Sequence, residues 1–373
     1  MAKKYSLMRC RECGFPRMVS FFIKWNDNGT MTQLMRRDFR VAILHFGFLD
    51  NLFSNIEAKL GISIEHIAFE AQRNASKATF AAFYDRMPAA DFFMKPAFVK
   101  RMGVEQFNKV GAITGQCHSE TIEYKPGRYG LARMRNPFNF GLMAANVVGA
   151  FETLERVPFR HTWEEESRDT YLIRVEPTGE RTDIGERMAL EIEPVVPGHL
   201  VHSRCPRCKV PRALSSQLKW MENDGIILDT RTGSRVVMLD GYMVAAVFRE
   251  MVNELGEEVN DLLVDAQREW TVDHVGQLGL METNGAASPE DLEKAYREYL
   301  KNMALYGIGN PVSFAVDDTS VRVTVENPYE VHIIAGTLQG LREALEKSKS
   351  VVEWKESGRG AVEFMVRPAS PSS

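Results

Sequence analysis

The chain repeats itself. Arg9 to Gly29, RCRECGFPRMVSFFIKWNDNG, lies without a gap over Arg204 to Asp224, RCPRCKVPRALSSQLKWMEND, at an offset of 195 residues. Arg9, Cys10, Cys13, Pro16, Arg17, Lys24, Trp25 and Asn28 recur as Arg204, Cys205, Cys208, Pro211, Arg212, Lys219, Trp220 and Asn223. The register continues through Arg40 and Arg235, Leu44 and Leu239, and Phe53 and Phe248 to the tripeptide AQR at Ala71 to Arg73 and Ala266 to Arg268. Beyond a small deletion the offset becomes 191, pairing Asn136-Pro137 with Asn327-Pro328, Gly149 with Gly340, Glu152 with Glu343 and Trp163 with Trp354. A duplication restricts the fold to one unit used twice, each copy of ordinary domain size. The expected organisation is copy 1 over 1–177 and copy 2 over 204–368, each opening with a CxxC hairpin. A charged linker bearing Gly and Pro fills 178–203, and a disordered tail follows at 369–373.

Within each copy MVSFFIKW or LSSQLKW reads as a strand. A turn cluster, NDNG or MENDG, and a second strand complete a hairpin. VAILHFGFLDNLFSNIEAKLG and VVMLDGYMVAAVFREMVNELG carry apolar residues at helical spacing and stop at Gly61 or Gly256, suited to the position after a helix. SPEDLEKAYREYL supplies Ser288 as N-cap, Pro289 at the first helical position, and Glu290 and Asp291 against the helix dipole. Strands, a helix and strands close each copy. The class is α+β, as two tandem homologous domains, each a CxxC hairpin followed by helices and an antiparallel sheet with a packed helix.

The balance of 46 basic and 50 acidic side chains, with no long basic block, disfavours a general nucleic-acid or anionic-membrane surface. The N-terminus lacks an apolar stretch after its lysines, and no run of about 18 apolar residues occurs, so the expectation is a cytoplasmic protein with no membrane association. Five cysteines, an odd number, argue against a disulfide framework.

One CxxC is a weak signal, but two at equivalent positions of a duplication are stronger. Four thiolates are what a closed tetrahedral zinc site requires, and each CxxC supplies two ligands on one turn. Cys10, Cys13, Cys205 and Cys208 are therefore the candidate ligands, and zinc the expected cofactor, in one shared site or two separate ones. An iron centre and unmetallated thiols are alternatives, as is His199 or His202 replacing a thiolate. A redox pair is disfavoured because such pairs open helices, whereas here each CxxC precedes Pro and then a strand-like run. Cys117, with no partner in copy 2, reads as a small buried hydrophobe.

The closing block Tyr306 to Pro368 resembles the 4-vinyl reductase domain family, through AGTLQGL at Ala335 to Leu341 and the strands around Glu353 and Gly358 to Val366. Copy 1 resembles it more loosely, through AANVVGAF at Ala144 to Phe151 and through Trp163 to Val175. The resemblance implies a hydrocarbon-binding α/β module related in fold to a vesicle-tethering subunit and a gas-sensing haem domain. Members sense phenols in transcription activators or assist a tetrapyrrole reduction. Many bind zinc through cysteines in the closing strands, but EWKESGRGAVEF and TWEEESRDTYLI contain none, so that site is not carried over. Nor is the activator role, because no ATPase module or helix-turn-helix is recognisable.

Divergence between the copies directs the search for function. Of 21 phenylalanines only Phe248, Phe314 and Phe364 lie in copy 2. Copy 1 is thus expected either to line an aromatic cavity or to pack its core differently. The candidates are Phe80, Phe83, Phe92, Phe93, Phe98, Phe107, Phe138, Phe140 and Phe151. His118, Glu120 and Tyr124 fall two and four residues apart, sharing one face if the segment is a strand, and form a candidate acid/base set. His45 and His66, replaced by Asp240 and Asp261 in copy 2, read as polar surface positions. Arg128, Arg133 and Arg135 form either an anion-attracting group or a solvated strand face.

The leading expectation is a protein that binds a hydrophobic or aromatic small molecule, regulatory or accessory to an enzyme system, with a structural zinc site. The alternatives are an enzyme acting on such a molecule through His118, Glu120 and Tyr124, and a zinc-ribbon-like interaction protein. Whether the chain works alone, as a homodimer or beside a partner enzyme is left open.

Overall fold

The computed structural model describes residues 7–34, 37–84, 96–180, 188, 191–192, 194–278, 287–317, 319–358 and 360–369. Copy 1 runs α1 (Arg17–Phe22), β1 (Ile23–Trp25), β2 (Met31–Gln33), β3 (Arg40–His45), α2 (Phe48–Leu60), α3 (Glu65–Tyr84), α4 (Ala97–Ile113), β4 (His118–Lys125), β5 (Tyr129–Arg135), α5 (Phe140–Glu155), β6 (Phe159–Ser167) and β7 (Thr170–Pro177). Copy 2 follows with α6 (Arg212–Gln217), β8 (Leu218–Met221), β9 (Ile226–Asp229), β10 (Arg235–Asp240), α7 (Gly241–Leu255) and α8 (Val259–Asp273). A short 3-10 turn (Val275–Leu278) leads to α9 (Pro289–Leu305), β11 (Asn310–Val316), β12 (Val321–Glu326), α10 (Val331–Glu346), β13 (Ser350–Glu356) and β14 (Ala361–Pro368). The α+β class stands as expected, and every strand pairing among the described residues is antiparallel.

Two local readings are corrected. The run after each CxxC opens with a short helix, α1 or α6, before its strand, because one helical turn suffices to bury Val19 or Leu214 beneath the cysteines while Phe21 faces solvent. The apolar runs beginning at Val41 and Val236 are a strand followed by a helix, not one helix. β3 and β10 are buried almost throughout, and a strand covered on both faces has no alternation to distinguish it from helix. The cap readings hold. Gly61 ends α2 with its N–H on the Glu57 carbonyl, and Ser288 and Asp291 form a reciprocal capping box on α9.

Among the described residues three sheets result, ordered β1-β2-β3-β10-β9-β8, β4-β5-β7-β6 and β11-β12-β14-β13. The last two are repeat equivalents. The first is built from both copies, joined where β3 pairs with β10 and Ile43 lies opposite Met238, its own repeat equivalent. A pseudo-two-fold axis therefore passes between these two residues. About it the copies exchange contacts: α2 packs on α8 and α7 on α3. Arg40 of copy 1 donates to the carbonyls of Asn327 (2.7 Å) and Pro328 (2.6 Å), and Arg235 of copy 2 donates to that of Asn136 (2.6 Å). One apolar core spans both copies, and a second lies beneath the cysteines, where Phe15 meets Trp25 and Trp220 edge-on.

Within each copy the repeated AQR and Gly-x-x-Glu motifs clamp two helices. A methyl at Gly149 would lie 2.6 Å from the Arg73 carbonyl, and one at Gly340 2.6 Å from that of Arg268, so α3 and α5, like α8 and α10, cross where no side chain fits. Arg73 Nε then reaches Glu152 at 3.0 Å, and Arg268 reaches Glu343 at 2.9 Å. Each glutamate also accepts the first N–H of the next strand, Phe159 or Ser350, at 2.9 Å.

Candidate functional site: a four-cysteine clasp and an aromatic cavity

The two CxxC turns meet across the pseudo-two-fold. The Sγ atoms of Cys10, Cys13, Cys205 and Cys208 all lie within 4.8 Å of one another, with Cys10 to Cys205 at 3.9 Å and Cys13 to Cys208 at 3.4 Å. Four sulfurs on a tetrahedral zinc are about 3.8 Å apart, given a Zn–S bond of about 2.3 Å, so the donor set and spacing fit one metal ion. Each turn is closed by backbone bonds, Gly14 N–H to Cys10 O and Lys209 N–H to Cys205 O, both at 2.9 Å. The Cys205 thiol is drawn down to about 6, chiefly by the backbone N–H of Cys208, whereas burial pushes Cys208 up to about 12. The expectation that a strand follows each pair is corrected by α1 and α6, but these helices begin after Pro16 and Pro211, so neither thiol pair caps a helix N-terminus. His199 and His202 are not in the cluster.

A cavity of about 150 Å³ lies in copy 1. α3 brings Gln72, Ser76 and Phe80 to it, α4 brings Val104, Phe107 and Asn108, and α5 brings Met143, Asn146, Val147 and Phe151. Met238, Leu239 and Asp240 of β10 complete the wall, so the site needs a strand of the other copy. Phe80 and Phe107 lie 3.8 Å apart between ring centres, and Phe151 packs edge-on against Tyr124.

The polar groups form a directed chain. Gln116 Nε2 donates to the Met238 carbonyl (3.0 Å), which fixes its amide, so its oxygen accepts from Asn146 Nδ2 (3.2 Å). Asn146 Oδ1 then accepts from Gln72 Nε2 at 2.7 Å. That leaves Gln72 Oε1, on a side chain buried in the wall, with no hydrogen-bond partner among the described residues. Burial holds the Asp240 carboxyl above its usual range, although the Met243 N–H and Gln72 favour its ionised form.

The sequence-derived aromatic set divides. Phe80, Phe107 and Phe151 line the cavity. Phe138 belongs instead to the core shared by both copies, Phe140 stacks on Tyr171 beside Trp163, and Phe98 is exposed. The side chains of Phe83, Phe92 and Phe93 lie outside the described residues. The shared face of His118, Glu120 and Tyr124 is corrected by a bulge at Ile122, which puts Tyr124 on the opposite face. Tyr124 is hydrogen-bonded to Glu155, while buried His118 lies 3.1 Å from Arg135 and Glu120 pairs with Arg133 at 2.9 Å. Arg133 also pairs with Glu166 at 2.6 Å, whereas Arg128 is exposed. Cys117 is fully buried and its thiol is raised to about 12 by desolvation. His66 is exposed as expected, but His45 is half-buried at the centre of the molecule.

Gln72 was missed because a glutamine in a repeated helix motif reads as structural. The signal available was its identity in both copies at a position where no ion pair required it.

No protein-family model and no curated protein matches the chain. Among solved structures it is similar to the phenol-responsive sensory domain of the transcription activator PoxR, solved with phenol, at 15% identity over 42% of this chain and 87% of that one, with a TM-score of 0.33. That likeness is too slight to fix a ligand. No helix among the described residues is long and apolar enough to cross a membrane.

Proposed function

We propose that the chain is a small-molecule-binding protein whose copy-1 cavity takes a single-ring aromatic bearing a hydroxyl group, with one zinc ion held by the four cysteines as a structural clasp. The observation that carries the reading is the unpartnered Gln72 Oε1 in a wall of Phe80, Phe107 and Phe151. An apolar cavity of about this volume admits one benzene ring, so acyl-CoA and tetrapyrroles are too large. A hydroxyl that donates to Gln72 removes the cost of an unsatisfied buried acceptor, about 1–3 kcal/mol. The resemblance of Tyr306 to Pro368 to the 4-vinyl reductase domain stands as a proposal of family, resting on sequence. A regulatory or accessory role accords with a cavity in which the acid/base candidates are not assembled.

Calorimetric titration with phenol and toluene tests the ligand class. Phenol is expected to bind about tenfold more tightly, and Gln72→Leu to abolish that difference while leaving toluene affinity unchanged. Equal affinities in the native protein, or binding of neither, would overturn the reading.

A further inference from the structure

The pseudo-two-fold carries the cavity wall of copy 1 onto a second site in copy 2, and the chemistry there is different. A smaller cavity of about 50 Å³ lies against β3, which enters it as β10 enters the first, with His45 in the place of Asp240 and Gln267 in that of Gln72. Two of the phenylalanines are gone, Phe80 corresponding to Val275 and Phe151 to Arg342, while the third, Phe107, corresponds to Tyr299 in the register set by the paired turns at Gly115 and Gly307. In their stead, lining residues present five buried polar atoms that have no hydrogen-bond partner among the described residues: His45 Nδ1, Arg231 Nε, Gln267 Oε1, Trp270 Nε1 and Asn302 Oδ1.

Their donor or acceptor character is fixed by the surroundings. Gln267 Nε2 donates to the hydroxyls of Thr271 (3.2 Å) and Thr337 (2.9 Å), whose own protons go to the carbonyls of Gln267 (2.9 Å) and Ile333 (2.7 Å). The amide therefore cannot be turned round, and Oε1 is an acceptor. Asn302 Nδ2 donates to the carbonyl and carboxylate of Glu298 at 3.1 and 3.2 Å, which leaves Oδ1 as a second acceptor. Arg231 Nε and Trp270 Nε1 can only donate. The charge of Arg231 is offset by Asp229 at 3.2 Å, which also accepts from Tyr306 at 2.7 Å, so the lining carries little net charge. Five such groups gathered in one small cavity are more unsatisfied polar atoms than a native interior ordinarily leaves together.

We infer that copy 2 holds a second ligand site, for a small uncharged molecule that both donates and accepts hydrogen bonds, an amide or diol no larger than acetamide. The volume accommodates about three or four water-sized groups and excludes an aromatic ring. The two copies thus divide their ligands by chemistry, an aromatic ring in one and a compact polar molecule in the other.

Titration of the metal-loaded full chain with acetamide, followed through the Trp270 indole N–H resonance (assigned by Trp270→Phe), tests the site. A saturable shift is expected that acetate, the charged counterpart, does not reproduce. Gln267→Leu should weaken it about tenfold. If that variant folds poorly, Asn302→Val, which installs the residue of copy 1, should do the same. A linear, non-saturating response, or an equal response to acetate, would mean that water alone bridges these groups and would overturn the inference. Phenol added to the same sample reads the copy-1 cavity separately, so the two proposals fail independently.

Discussion

Gly149 and His45 show how much can rest on one residue. At Gly149 the added methyl of Gly149→Ala meets a carbonyl at 2.6 Å and Ser76 Cβ at 2.9 Å, neither free to withdraw. The substitution should cost about 1–3 kcal/mol, read from the urea midpoint, with Gly340→Ala costing a similar amount. His45 is held neutral: desolvation, opposed by Asp229 and aided by Arg231, lowers its pKa from 6.5 to about 4. Because the folded pKa lies below the unfolded one, the unfolded chain takes up the proton first. Stability from this group is therefore full above about pH 6.5 and is lost as pH falls towards 4, by at most about 3 kcal/mol. His45→Asn should flatten the slope of unfolding free energy over that window, and an unchanged slope would contradict the account. Nothing in the sequence around His45 marks it as enclosed, because the residues that enclose it, Arg231, Trp270 and Tyr306, come from the other copy.

Among the elements, the helix pairs α3 with α5 and α8 with α10 are the rigid parts from which both cavities hang. Glu152 is almost fully buried and holds Arg73 and the start of β6 together. Removing one partner of such a pair strands the other, so Glu152→Ala and Glu343→Ala should each cost about 3–5 kcal/mol in chemical denaturation, whereas exposed Glu165→Ala should change stability by less than about 0.5 kcal/mol. These motifs were legible as repeats, since AQR and the Gly-x-x-Glu pair recur in register, but their meaning was not, because sequence spacing does not reveal which helices cross. The strands β3 and β10 were misread for a related reason: a segment buried on both faces loses the alternation that betrays a strand. The bulge at Ile122 is likewise invisible in the sequence, yet it alone separates Tyr124 from His118 and Glu120.

At the scale of the whole molecule, the duplication was legible and the exchange between copies was not. Two tandem units imply two independent cores. The structure instead gives them a common sheet, a common core and crossed contacts, with each cavity walled by a strand of the other copy. Residues 1–177 expressed alone lack half the sulfurs and the β10 wall. They should be unstable as a monomer and, with zinc, should pair through two copies of Cys10 and Cys13, a result that light scattering with and without metal would read. The clasp is the part of this arrangement that the sequence reading anticipated and the geometry brings together. Its most direct test is native mass spectrometry of the freshly purified chain. One zinc ion per chain is expected, lost in both Cys10→Ser and Cys205→Ser. Two ions per chain, or an ion retained when Cys205 is replaced, would contradict a single clasp shared by the two copies.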